Sequence, residues 1–460
     1  MSRDAADRKR QDGVTGHVTG KLTRRGLLGL TGAWLGSTSV LAQQPSWLDT
    51  IPGFSTPGSR PASDKRAPKS TTPEVLNDLR QDPTPIRGEE TYEALERAIG
   101  HYQDIASRGG WPIIPGTRMM RPGDDDERVM ILRRRLQITG DLPGPAGNSA
   151  AYAFDGHLEE AVRRFQERHG LRVSGRADGP TIAALNVPAA ARVAQLRLNL
   201  QRVRELLAQR IEDRYVLVNV PAFQLEAVEQ HMVHLRHRVI VGRPDRQSPV
   251  VRATIKGVNF FPYWRVPDSV ATLDLIPRLM REPDYLAKEY IRVLSGNFNG
   301  PELDPSQIDW RTADPVRIKF RQDPGPQNAL GLVRIDMPNE HGVYMHDTPM
   351  KKLFESRGRA FSAGCVRVQD VFQLVAWIAR DEPGFDKSKI DEVLAAGIGY
   401  DIPLTRPIPV YFTYITAWAE RSGRVEFRPD VYGRDGQHEL VAGRDRDPSE
   451  PAPPPQSLAP

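Results

Sequence analysis

The sequence has little cysteine and little net charge, and each shortage excludes a class of protein. Cys365 is the only cysteine among 460 residues, so no disulfide can form within the chain and this residue can act covalently only as a thiol. The formal net charge is only +5, which argues against a dedicated nucleic-acid binder with a concentrated basic face. After residue 42, no apolar run approaches the length of a membrane span.

The remaining composition indicates several packed domains joined by connectors. Apolar residues make up 39% of the chain, which is enough for ordinary cores, while 38 glycines and 40 prolines predict long connecting segments. The length predicts about three domains.

The N-terminus has the three parts of an export signal. Residues 1–22 are polar and mostly basic, Arg24 and Arg25 stand directly before an apolar, glycine-rich run, and that run ends at Ala42. The paired arginines resemble a twin-arginine signal, so we assign residues 1–42 to export and predict a periplasmic location. The short run favours cleavage, and an uncleaved membrane anchor is the alternative. Residues 43–72 predict a disordered linker, and residues 443–460 a disordered tail.

Helical patterns occupy the chain between residues 73 and 213. Residues 73–125 predict a helical scaffold region, because apolar side chains recur at three- and four-residue steps. Residues 126–190 predict a unit of three helices, and residues 191–213 a connecting helix. The Phe165-Gln166 pair, the following Gly170-Leu171 and a helix start at Gly179-Pro180-Thr181 make this unit resemble the three-helix peptidoglycan-binding module. A generic helical bundle is the alternative.

Beyond residue 213 the pattern changes to short β-rich runs such as YVLVNVPAF and HRVIVG, separated by turn signals. We assign a β-rich domain to residues 214–415, with a helical cap insertion at about residues 268–330, and a C-terminal extension to residues 416–442. The predicted fold class is therefore multidomain α+β: a helical N-terminal region and three-helix module, followed by a β-rich domain with a helical insertion.

One stretch of the β-rich domain carries residues suited to covalent chemistry. His346 ends a predicted strand, and Cys365 follows 19 residues later in the run SAGCVR. A thiol is mostly protonated at neutral pH, so a nucleophilic cysteine needs a base such as His346 nearby. Gly364 allows a tight turn, and a helix beginning near Asp370 would bring backbone N–H groups close to Cys365 for an oxyanion. Arg367 adds a fixed positive charge, suited to a substrate carboxylate or to the thiolate.

These motifs, HDTP from His346 and SAGCVR over residues 362–367, resemble the active-site signature of the L,D-transpeptidases, and the run WRVP from Trp264 fits the same family. The order of parts resembles the large, capped subgroup that carries a peptidoglycan-binding module. Two positions depart from the wider family: Asp347 stands where many members have glycine, and Ala363 where many have histidine.

The resemblance implies roles for individual residues. Cys365 is the expected nucleophile and His346 the expected base, and the site is shaped by Ser362, Gly364 and Arg367, with the N–H groups of Gly364 and Cys365 as oxyanion donors. Tyr344 lies two residues before His346 on the same strand face, so it is a candidate for the pocket together with Trp264. For Tyr344 alone, a place in the strand core is the alternative.

The implied activity is the formation of 3→3 cross-links in peptidoglycan through a cysteine thioester. The implied partners are a donor tetrapeptide stem and an acceptor stem, with no nucleic acid, no cofactor, and membrane contact only through an uncleaved N-terminal signal. No metal site is predicted, because His231, His234 and His237 lack a carboxylate or cysteine to complete a ligand set. Two alternatives stay open: a non-catalytic peptidoglycan-binding scaffold, and an L,D-carboxypeptidase or hydrolase that uses water as acceptor.

Overall fold

The computed structural model describes residues 82–144, 152–209 and 212–436, together with Leu79. The predicted export signal, linker and C-terminal tail lie outside these described residues. Within them, no helix is long and apolar enough to cross a membrane.

Among the described residues that precede the three-helix unit, the chain forms one helix, α1, Glu89–Ser107. Its buried side chains recur at helical spacing, including Leu95, Ile99 and Tyr102. The prediction of helix from residue 73 is wrong over residues 82–88, which are not helical. The reason is local, because Pro83 and Pro85 disfavour helical backbone immediately before α1.

The next unit packs three helices around its own core: α2, Arg128–Ile138; α3, Gly156–Arg168; and α4, Gly179–Leu185. Asp155 caps α3 by accepting from Leu158 N–H at 2.9 Å, and Asp178 caps α4 by accepting from Thr181 N–H at 3.0 Å. The side chain of Gln166 is fully buried and bonds to Arg176 and Thr181, which ties α3 to the start of α4. Helix α5, Ala189–Leu207, follows and packs against α1.

The remaining chain is mostly strand. The strands are β1 Arg214–Asn219, β2 Gln224–Glu229, β3 Met232–Gly242, β4 Val251–Phe260, β5 Trp264–Arg265, β6 Ile291–Ser295, β7 Ile318–Gln322, β8 Val333–Asp336, β9 Met345–His346, β10 Ala360–Ser362, β11 Val366–Val368, β12 Tyr400–Thr413, β13 Ala417–Ala419 and β14 Val425–Phe427. The main sheet has the order β10-β3-β11-β9-β8-β4-β12-β1-β2. Strand β3 also pairs with β2 along its first part, so the sheet closes on itself through this long strand.

The insertion between β4 and β8 is a small domain of mixed structure with its own core. It holds the short helices α6 Asp268–Val270, α7 Ile276–Leu279 and α8 Tyr285–Lys288, and a three-stranded sheet in the order β5-β7-β6. The prediction of a helical cap is therefore wrong for its second half. Apolar residues at every second position, such as Ile291 and Val293 in β6, produce strands there.

Two further helices complete the β-rich domain: α9, Val371–Ala379, and α10, Lys387–Ala396. The apolar residues of α9, among them Val371 and Leu374, are fully buried in the main core beside the sheet. The C-terminal hairpin β13–β14 instead joins the core of α1 and α5, with Trp418 and Phe427 buried. The fold class is confirmed as α+β, with a helical region and module followed by a β-rich domain.

Candidate active site

Two neighbouring strands place the predicted histidine and cysteine on one face of the sheet. Strands β9 and β11 pair in parallel with His346 beside Arg367, and the Val366 N–H donates to the Tyr344 carbonyl at 3.0 Å. Met345 and Val366 are fully buried in the main core. Because side chains alternate along a strand, Tyr344, His346, Cys365 and Arg367 share the opposite face.

Cys365 follows a turn that the Ser362 side chain closes. Ser362 Oγ donates to the Cys365 carbonyl at 2.5 Å and accepts from the Gly364 N–H at 3.2 Å. Gly364 has φ +125°, a backbone conformation that side-chain-bearing residues rarely adopt. Glycine is therefore required at this position for its conformation, while a Cβ would meet no atom closer than 3.7 Å.

The thiol lies in a partly buried pocket where Tyr344 is its hydrogen-bonding neighbour. Burial raises the pKa of Cys365 above its ordinary value, and hydrogen bonding from Tyr344 and the charge of Arg367 act in the opposite direction. The Trp264 side chain lies against the Tyr344 hydroxyl. Tyr344 is therefore next to the sulfur while it also packs against the main core, and Trp264 packs against the core of the insertion.

His346 is buried and held in one orientation. Its Nδ1 donates to the Asp347 carbonyl at 2.5 Å, and the Leu330 carbonyl also interacts with the ring. Burial, followed by the positive charge of Arg367, lowers the pKa of His346 to about 3. The imidazole is therefore a neutral base at physiological pH, and the resting pair is thiol and imidazole rather than thiolate and imidazolium.

Arg367 is half-buried with no carboxylate beside it among the described residues. Its Nη1 points at the Met350 sulfur, 3.8 Å away, and its Nε is buried without a hydrogen-bond acceptor. An arginine in this state has donors to offer to an anion that enters the site.

The structure shows the backbone groups that were expected near the oxyanion. Helix α9 begins at Val371, in agreement with the start predicted near Asp370, and strand β11 and Gln369 lie between Cys365 and this helix in the chain. The Gly364 N–H is already bonded to Ser362 Oγ. The Cys365 N–H differs, since no acceptor among the described residues is within hydrogen-bonding distance of it. It remains the available donor at the sulfur.

Three residues around this site had no role predicted from the sequence. Arg334 of β8 pairs with His346 across the sheet, and its guanidinium lies 5.5 Å from the Tyr344 ring centre. The buried Asp347 carboxylate accepts from the Leu332 N–H at 3.1 Å and pairs with Lys351. Ser248 donates to the Gly364 carbonyl at 2.6 Å. The alternation in Val333–Asp336 could have placed Arg334 on this face, but no sequence signal relates Ser248 to Cys365.

This arrangement is chemically suited to acyl transfer. A thiol lies on the same face as a neutral imidazole that is oriented by a backbone carbonyl, and a free N–H is available for a developing oxyanion. These groups stand in the roles that a cysteine nucleophile requires.

Comparison with known proteins agrees with this chemistry. Residues 213–391 match the family model described as an L,D-transpeptidase catalytic domain, and residues 125–185 match that of a peptidoglycan binding domain. A Haemophilus influenzae protein, to which L,D-transpeptidase activity is assigned by inference, is 34% identical over 252 residues, covering 54% of this chain and 49% of the relative. The chain thus spans about half the length of this curated relative.

Solved structures give weaker matches. An L,D-transpeptidase from Xylanimonas cellulosilytica is 14% identical, covers 65% of this chain and 98% of its own, and has a TM-score of 0.21. An L,D-transpeptidase from Mycobacterium smegmatis is 10% identical, covers 44% of this chain and 58% of its own, and also has a TM-score of 0.21. Scores this low support no structural argument, so the assignment rests on the sequence matches. By sequence, residues 213–391 are thus similar to L,D-transpeptidase catalytic domains, and residues 125–185 to peptidoglycan-binding domains.

Proposed function

We propose that this protein is a cysteine-dependent L,D-transpeptidase that forms 3→3 cross-links between peptidoglycan stem peptides. The observation that carries the proposal is the common face of Cys365 and His346 on paired strands, with the His346 Nδ1 proton held by the Asp347 carbonyl. A scaffold that only binds peptidoglycan has no use for an oriented neutral base beside its one thiol.

In the acylation step, Cys365 attacks the carbonyl of the diamino acid at position three of a donor tetrapeptide. His346 Nε2 takes the thiol proton as the S–C bond forms, and the oxyanion is stabilised by the Cys365 N–H. The C–N bond to the terminal D-alanine then breaks, and His346 returns the proton to the leaving amine. A thioester remains on Cys365.

In the second step, the side-chain amine of an acceptor stem attacks the thioester carbonyl. The C–S bond breaks, the new amide is the 3→3 cross-link, and His346 moves the amine proton to the departing thiolate. Water in place of the amine would yield a carboxypeptidase, so the choice between transfer and hydrolysis depends on what reaches the thioester.

Arg367 supplies recognition of the donor. The leaving D-alanine carries the terminal carboxylate of the tetrapeptide, and Arg367 offers a guanidinium without a carboxylate of its own two residues from the sulfur. We assign it to hold that carboxylate, with Tyr344 and Trp264 as the pocket wall.

The proposal includes the location of the protein, because its substrate lies outside the bacterial cytoplasm. We propose that residues 1–42 direct export to the periplasm by the twin-arginine route. Replacing Arg24 and Arg25 together by lysine is expected to leave the protein in the cytoplasmic fraction. The single replacement Arg3→Lys, in the polar region before the motif, is the control and leaves export intact.

The direct test incubates the purified protein with disaccharide tetrapeptides and analyses the products by mass spectrometry. The wild type should release D-alanine and form dimers linked between the third residues, and Cys365→Ala should form none. Ala363→Ser, an exposed position in the same turn, is the control and should keep activity. Dimers from Cys365→Ala would refute the assignment, whereas tripeptide without dimers from the wild type would indicate hydrolysis.

A further inference from the structure

A serine far from Cys365 in the chain holds the turn that carries it. Ser248 is fully buried, and its Oγ donates to the Gly364 carbonyl at 2.6 Å while it accepts from the Gly242 N–H at 2.9 Å. At Gly242 there is no room for a side chain, because a Cβ would lie 2.6 Å from the Ser248 nitrogen. The loop that carries Ser248 is therefore pressed against the end of β3, next to the turn.

The Gly364 carbonyl and the Cys365 N–H belong to the same peptide unit. That unit is planar and trans, so the two groups point in opposite directions, and fixing the carbonyl fixes the direction of the N–H. Gly364 itself sets little restraint on this plane, because glycine adopts many backbone conformations. Ser362 holds the groups on either side of this peptide unit, and the Ser248 bond holds the unit itself and so fixes the direction of the unoccupied Cys365 N–H.

Ser248 is held in turn by the C-terminal extension. The Tyr432 hydroxyl donates to the Gly242 carbonyl at 2.6 Å and accepts from the Ser248 N–H at 3.2 Å. The Tyr432 ring stacks on Tyr414, with ring centres 5.6 Å apart. Arg434 donates to the Gln247 side chain at 2.6 Å, so a second contact joins the extension to the same loop.

We propose that Ser248 and Tyr432 are positioning residues for catalysis: they hold the Gly364–Cys365 peptide so that the Cys365 N–H is aimed at the oxyanion. The C-terminal extension thereby forms part of the active site, although none of its residues touches the reacting atoms. This inference rests on the proposed function and adds to it the hydrogen bonds that orient the oxyanion donor.

Two reactions of the same sulfur separate this role from a general structural one. With iodoacetamide, the sulfur attacks a saturated carbon, the S–C bond forms and iodide leaves, so no oxyanion develops. With p-nitrophenyl acetate, the sulfur attacks a carbonyl carbon, the carbonyl oxygen becomes negative, and the C–O bond to p-nitrophenolate then breaks. His346 takes the thiol proton, and a thioester remains. Only the second reaction needs the Cys365 N–H.

The experiment measures both rates by intact mass on the full chain, in which Cys365 is the only thiol. Ser248→Ala should slow acylation by about 10- to 100-fold, since losing an oxyanion donor outright costs about 100- to 1,000-fold. Tyr432→Phe, which keeps the ring and acts one bond further away, should slow it by about 3- to 10-fold. Alkylation should stay within about twofold of the wild type in both variants, because the thiol itself is unaffected.

Ser422→Ala and Tyr152→Phe, at exposed positions, are the matched controls and should change neither rate. If both variants lose acylation and alkylation rates equally, the thiol itself is displaced and the inference is overturned. Unchanged acylation rates in both variants would also overturn it. If the ester acylates the wild type but tetrapeptides give no cross-links, the proposed function is refuted. The ester acylation rates of the variants still decide the present inference in that case.

Discussion

The assignment of Arg367 to a substrate carboxylate predicts how Cys365 discriminates between a neutral and an anionic reagent. Iodoacetamide and iodoacetate react with a thiolate by the same displacement, and they differ by one carboxylate. The perturbation is Arg367→Gln, which removes the positive charge and keeps a polar side chain of similar length. Because Cys365 is the only cysteine, intact mass reports its reaction alone.

The magnitude follows from the strand geometry. Residues two apart on one strand face are about 7 Å apart, and two unit charges at that distance interact by about 2 kcal/mol at an effective dielectric constant of about 20. The site is half exposed, and screening reduces this to about 1 kcal/mol, or about fivefold in a rate or an equilibrium. Arg367 stabilises both the thiolate and a carboxylate that approaches it.

Arg367→Gln should therefore slow alkylation by iodoacetamide and by iodoacetate by different factors. Towards iodoacetamide, the variant forms less thiolate, but its thiolate is more nucleophilic, so the rate should fall by only about two- to threefold. Towards iodoacetate, the attraction for the carboxylate is lost as well, so the rate should fall by about tenfold or more. The ratio of the two rates should therefore drop by about fivefold.

The assay is a single-turnover alkylation at about pH 7.5 and low salt, followed by mass spectrometry. This pH keeps His346 uncharged. Arg406→Gln, which removes one charge at an exposed position, is the control and should leave the ratio unchanged. An unchanged ratio in Arg367→Gln would show that Arg367 does not act on anions at the sulfur, and the assignment of the donor carboxylate would fail with it.

Two predictions concern the structures that support the site and the module. Gly331→Ala should lower the free energy of unfolding, measured in urea, by about 2 kcal/mol or more relative to the control Gly433→Ala. Both glycines have positive φ, but only the Cβ at Gly331 would meet the Asp347 carboxylate, at 2.4 Å. Equal losses in the two variants would refute the clash. Arg168→Met breaks the buried ion pair with Asp141 and should lower the free energy of unfolding by about 3 to 5 kcal/mol. Arg108→Met, at an exposed pair, should lower it by less than about 1 kcal/mol. A small decrease in Arg168→Met would show that the buried pair does not stabilise the module.

Much of this architecture could be predicted from the sequence because its signals are local. The helices of the module are marked by 3.6-residue periodicity and by the caps Asp155 and Asp178, and their structure follows from contacts a few residues apart. The common face of His346 and Cys365 could be anticipated for a different reason. A nucleophilic thiol needs a base nearby, and the motif resemblance named both residues.

The parts that could not be predicted depend on contacts between distant segments. Ser248 lies 116 residues before Gly364, and Tyr432 lies 184 residues after Ser248, so no periodicity relates them. The helix predicted from Asp370 is present as α9, but the sequence did not show that residues 366–368 enter the sheet beside β9 before this helix begins. That choice is made by the partner strand, since a three-residue apolar run has no decisive propensity of its own.

The contact between the module and the C-terminal hairpin contains a histidine that should make stability depend on pH. His169 is buried, stacked on Phe165 at 3.8 Å and on Phe427 at 5.2 Å between ring centres. Burial, together with nearby arginines, lowers the pKa of His169 well below its usual value. The folded protein keeps this ring neutral, while the unfolded chain takes up a proton below about pH 6.5, so the free energy of unfolding decreases as the pH falls.

Each such histidine contributes up to about 1.4 kcal/mol per pH unit below that value, and His237 and His346, whose pKa values are also lowered, act in the same direction. His169→Phe preserves the stack and removes one of these titrating groups. The loss of unfolding free energy between pH 7 and pH 5, measured in urea, should therefore be about 2 kcal/mol smaller in His169→Phe than in the wild type. His157→Gln, at an exposed position, should leave that loss unchanged. If His169→Phe loses as much stability as the wild type, the ring is not held neutral in the fold, and acid does not act on the contact between the module and the C-terminal hairpin.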